Sequence, residues 1–80
     1  MDKGDVALTR MVRGQIARRS VDASLLDIRV SHGIVHLSGV LRVLRSQAGM
    51  DLKKEMDTIS VVLRTKQGVR DVIWEVTQRM

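Results

Sequence analysis

Eighty residues make one domain with one core, and a chain this small buries only about 60% of its unfolded surface. There is no cysteine, phenylalanine or tyrosine and a single tryptophan, which excludes disulfides and thiolate metal sites and leaves an aliphatic core of Val, Ile, Leu and Met. Fourteen Lys and Arg against nine Asp and Glu give a formal charge of +5, a balance that favours nucleic acid, phospholipid headgroups or an acidic protein surface as partner. No apolar run approaches the roughly 20 residues needed to span a bilayer. The first ten residues lack the apolar centre of a signal peptide. Taken by itself the chain is expected to be cytoplasmic; within a longer exported protein it would be periplasmic or membrane-associated.

The first periodic segment predicts a helix over Asp5 to Arg19. Leu8, Met11, Val12, Gln15 and Ile16 share one face, and Arg10, Arg13 and Ala17 the other. Asp2 and Asp5 near its start and Arg18 and Arg19 near its end complement the helix dipole. Ser20 to Ser24 reads as a loop whose side chains compete for backbone hydrogen bonds. Leu26, Ile28 and Val30 then alternate with Asp27, Arg29 and Ser31, which predicts a strand over Leu26 to Ser31. His32-Gly33 suits a two-residue hairpin turn. A second strand begins at Ile34, with Val35, Leu37, Gly39, Leu41 and Val43 on its inward parity. Gly39 inside that strand suggests a bulge or a close approach by a helix.

A helix is expected between Ser46 and Gln67, with the stripe Leu52, Met56, Ile59, Val62 and Leu63 turned inward. Its start is open at this stage: Asp51 can cap a helix beginning at Leu52, or the helix can begin earlier, near Leu44. Gly68 reads as its stop. The last strand is predicted over Val69 to Thr77, with Val72, Trp74 and Val76 inward. The order helix, strand, strand, helix, strand predicts an α+β two-layer sandwich of α-β-β-α-β order. In it a three-stranded mixed sheet carries both helices on one face and leaves the other open.

These residues resemble the BON domain, a bacterial module of osmotically induced and nodulation-related proteins. The resemblance rests on Ile28-Arg-Val30, on Gly33-Ile-Val35-His-Leu37-Ser38-Gly39-Val40, and on Gly68-Val69-Arg-Asp-Val72. It spans nearly the whole chain, residues 1–80 as a single BON-like domain. It implies a non-catalytic module that attaches to phospholipid membranes or to protein partners. It supplies no catalytic residues and no cofactor.

The residues themselves point the same way. His32 and His36 are the only histidines, and without cysteine nothing in the spacing builds the three or four converging ligands of a metal site. Ser38 lies two residues from His36 but lacks a nucleophile-elbow signature. The chain is therefore expected not to be an enzyme. Arg10, Arg13, Arg42, Arg45, Lys53 and Lys54 are candidates for contact with an anionic phospholipid surface, the last four grouped near the end of the second strand and the start of the second helix. Ile34 and Ile73, with Val40, fall on the sheet face that no helix is left to cover, beside Arg29 and His36. They are candidates for a protein partner or for homo-oligomer formation. Nucleic acid is the alternative partner. A KH-like outline is compatible with the element order, but the KH clamp is absent and Trp74, the one aromatic residue, has inward parity.

Overall fold

The alternation that begins at Leu26 places the centre of the fold. The structure, a computed structural model, describes residues 3–44, 49 and 51–79. A helix over Lys3–Ala17 (α1) precedes a two-residue strand at Val21–Asp22 (β1), strands at Leu26–Ser31 (β2) and Ile34–Val43 (β3), a helix at Leu52–Arg64 (α2) and a strand at Asp71–Arg79 (β4). The long strand β3 is the middle of the sheet. On one side it pairs antiparallel with β2, Ile28 opposite Leu37 and Val30 opposite Val35, and further along with β1, Val21 opposite Val43. On its other side it pairs in parallel with β4, Leu37 opposite Trp74.

The fold is thus α+β, but its sheet has four strands where three were expected. The difference lies in the segment read as a loop. Val21 and Asp22 continue the β2 edge after a turn at Ala23 to Leu25, and two residues are too few to display an alternation. The break in that edge is built around Gly39, which sits at φ +93° with the Leu25 carbonyl oxygen 2.4 Å from where its Cβ would be. The Val40 N–H donates to the same oxygen at 3.1 Å. The close approach is thus made by the backbone of the Leu25 turn and not by a helix, and only glycine tolerates both it and the backbone conformation. At the hairpin, His32 (φ 52°) and Gly33 (φ 80°) are both left-handed, as a type I′ turn requires.

One sheet face is covered by both helices. Val12 and Ile16 of α1 and Leu52, Met56, Ile59 and Leu63 of α2 pack with Leu26, Ile28, Val30, Val35, Leu37, Leu41 and Val72 in a single core. Trp74 is half-buried on this face, and its indole Nε1–H donates to Ser60 Oγ on α2 at 2.6 Å. That bond explains how Ser60, the one buried polar residue among those described, is tolerated in the core.

Element ends differ from expectation for local reasons. The helix α2 takes the Asp51-capped start, the Asp51 carboxylate accepting from the Lys54 N–H at 3.2 Å. The stretch toward Ser46 lies outside the described residues. Val69 N–H donates to the Lys66 carbonyl, and Arg70 N–H to the Gly33 carbonyl at 2.7 Å. The first bond closes the turn over Gln67 and Gly68 and the second commits Arg70 to the hairpin turn, so the regular pairing of β4 begins at Asp71. After Ala17 the N–H groups of Arg18 and Arg19 bond Gln15 and Ile16 three residues back, which closes α1 before Arg19. Among the described residues no helix is long and apolar enough to cross a membrane.

Candidate anionic-surface interface

The two helices run antiparallel over the sheet. The Arg19 Nε–H just past the end of α1 donates to Glu55 Oε1 near the start of α2 at 2.5 Å. At the other end Gly68, beyond α2, lies against Leu8 in the first half of α1. The helical phase turns Arg10 and Arg13 to solvent on α1, and the first turn of α2 does the same for Lys53 and Lys54. Arg18 is exposed as well. It continues the line of Arg10 and Gly14 at a spacing of four, a periodicity visible in the sequence. Among the described residues none of these five cations forms an ion pair. The acids of α2 are largely committed: Asp51 caps the helix, Glu55 holds Arg19, and Asp57 is left exposed.

The open sheet face is different. The register sets Arg29, His36 and Ile73 in one row across β2, β3 and β4, with Ile34 diagonal to Ile73. Val40 is separated from Ile34 along β3 by His36 and Ser38, so the aliphatic residues are interleaved with polar ones and form no continuous patch. Two arginines of this face, Arg29 and Arg42, are each matched by an aspartate. Arg29 Nε pairs with Asp27 at 3.1 Å, and Arg42 at the far end of β3 pairs with Asp22 on β1 at 3.1 Å. The expected basic group near the start of α2 is therefore divided. Arg42 lies on the open face, Lys53 and Lys54 lie in the helical layer, and Arg45 falls outside the described residues. Arg64 is also engaged, by Asp71 at 3.0 Å.

No three His, Cys, Asp or Glu side chains among the described residues come close enough to hold a metal. His32 Nδ1 is 3.1 Å from Ser31 Oγ at the turn. His36 and Ser38 share the open face without a hydrogen bond between them.

Two carboxylates show how these pairs respond to acid. Hydrogen bonds from Ser24, then the charge of Arg42, hold Asp22 below the ordinary 3.8. The Val72 backbone N–H, then Arg64, does the same for Asp71. A lowered folded value means that the stabilisation is complete above about pH 4 and is lost as pH falls through the lowered values. The doubly substituted Asp22→Asn, Asp71→Asn protein should therefore show a shallower fall of melting temperature below about pH 4 than the wild type. Parallel profiles in that range would rule out these two groups as its source.

No family model, no curated protein and no solved structure matches this chain.

Proposed function

We propose that the chain is a BON-like, non-enzymatic docking module that attaches to an anionic phospholipid surface through its helical layer. The carrying observation is the division of charge between the two faces. Arg10 and Arg13 on α1, Arg18 just past its end, and Lys53 and Lys54 on α2 are exposed and unpaired, whereas Arg29 and Arg42 on the open sheet face are each matched by an aspartate. Each basic residue near an anionic membrane contributes on the order of 1 kcal/mol, so five on one layer give salt-sensitive binding without a pocket. The BON reading itself rests on the motif residues of the hairpin and of Gly68 to Val72.

A nucleic-acid role has less support. Base stacking needs an accessible aromatic face, and the only aromatic ring is half-buried on the helix-covered side with its N–H bound to Ser60. Co-sedimentation with vesicles containing phosphatidylserine tests the proposal. Binding is expected to fall as salt rises, and to drop several-fold in Arg10→Glu, Arg13→Glu protein. Equal binding to neutral vesicles, or none to either, would reject it. Tight, salt-dependent shifts with RNA in place of lipid would put the alternative first.

A further inference from the structure

The two edges of the sheet are not alike. The β1–β2 edge is interrupted by the Ala23 to Leu25 turn, a break that discourages pairing with another strand. The β4 edge has no such protection. Its nine residues run in unbroken register with β3, from Asp71 opposite Ile34 to Arg79 opposite Arg42. The strand contains no proline, glycine or lysine, and among the described residues nothing pairs with its outer side. Under α2, Val72 is buried, but Trp74 and Val76 keep part of their surface exposed. We propose that β4 pairs antiparallel with the β4 strand of a second copy of this chain, about a two-fold axis through Val76, to form one continuous sheet.

The occupant follows from the strand's own charges. β4 carries Glu75 in its middle and ends in Arg79, while the Asp71 carboxylate is already held by Arg64 and the Val72 N–H. Antiparallel pairing sets Glu75 of each copy toward the basic end of the other, a match that a parallel arrangement lacks. Centring the axis on Val76 puts Val76 against Val76 on the helix side, Trp74 against Gln78, and Glu75 against Thr77. Each Glu75 then has the partner's Arg79 as one diagonal neighbour and the partner's Glu75 as the other, so two attractive pairs answer one repulsive pair. An axis through Glu75 would instead oppose two carboxylates directly, and the Asp71 to Arg79 pairs it also creates would draw on a carboxylate already held by Arg64 and the Val72 N–H. The pairing is isologous and closes as a dimer. It also keeps both helical layers on the same side.

Sedimentation velocity of the full chain over a range of concentrations, with far-ultraviolet circular dichroism to check folding, tests the pairing. The wild type is expected to shift from monomer to dimer as concentration rises. Glu75 is exposed, so Glu75→Arg should leave the fold intact and weaken the dimer roughly tenfold by turning every cross-axis pair repulsive. The double variant Glu75→Arg, Arg79→Glu should recover it, because residues 75 and 79 lie too far apart along one strand to compensate within a copy. A wild type that stays monomeric throughout overturns the proposal, as does a dimer indifferent to Glu75→Arg. Neither result bears on vesicle binding, which involves the opposite layer's side chains.

Discussion

Replacing Gly39 with alanine is expected to remove a large part of this domain's stability. Strand propensity alone would forecast a small gain, since glycine weakens a strand interior. Here the backbone is left-handed, and the new Cβ would lie 2.4 Å from the Leu25 carbonyl oxygen. The obstacle is backbone, so relief requires moving the Ala23 to Leu25 turn and giving up the Val40 to Leu25 bond. A left-handed non-glycine residue alone costs about 1–3 kcal/mol. With the clash added, the loss should reach about 3 kcal/mol, against a total of roughly 4–12 kcal/mol for a chain of this length. Thermal melts should show a fall of at least about 12 °C. A variant within a few degrees of wild type would mean that the β1–β2 break does not depend on glycine.

The second large effect is expected from Leu37→Ala. Leu37 is fully buried at the middle of β3, opposite Ile28 on one side and Trp74 on the other. Truncating a leucine in such a place costs about 2–5 kcal/mol, because the transfer energy of the lost methyls is joined by that of an unfilled cavity. Ile28 opposite is β-branched and stiff, and Trp74 on the other side is held by its bond to Ser60, so neither collapses readily into the space, which favours the upper half of the range. Val61→Ala is the matched control. Val61 is 62% exposed on α2, so its truncation should stay within about 0.5 kcal/mol. Denaturant unfolding of the two variants separates them; similar midpoints would contradict the placement of the core.

Much of this arrangement was legible in the chain. The alternation in β2 and β3 carried their spans and inward residues because one face of each strand is covered and the other is not. The His32-Gly33 turn was legible because two left-handed residues leave few choices of sequence. What the chain concealed depends on contacts between distant segments. The strand β1 exists only because Gly39 lets the β2 edge break and resume. Asp22 and Arg42 are brought together by that same register. The start of β4 is decided by the bond from Arg70 to Gly33. The helical phase turned Arg10 and Arg13 outward correctly, but it could not tell which cations are answered by an acid, and that distinction now separates the helical layer from the sheet face.

The hydrogen bond between Trp74 and Ser60 has an experimental consequence. With one indole and no tyrosine or phenylalanine, all intrinsic fluorescence of this protein comes from a single position. That position is the seam where α2 rests on β4. The emission spectrum is therefore a local gauge of that seam, while circular dichroism averages over every element. If α2 lifts from the sheet before the strands separate, the emission will move to longer wavelength ahead of the loss of secondary structure. If the domain melts as one unit, the two signals will coincide.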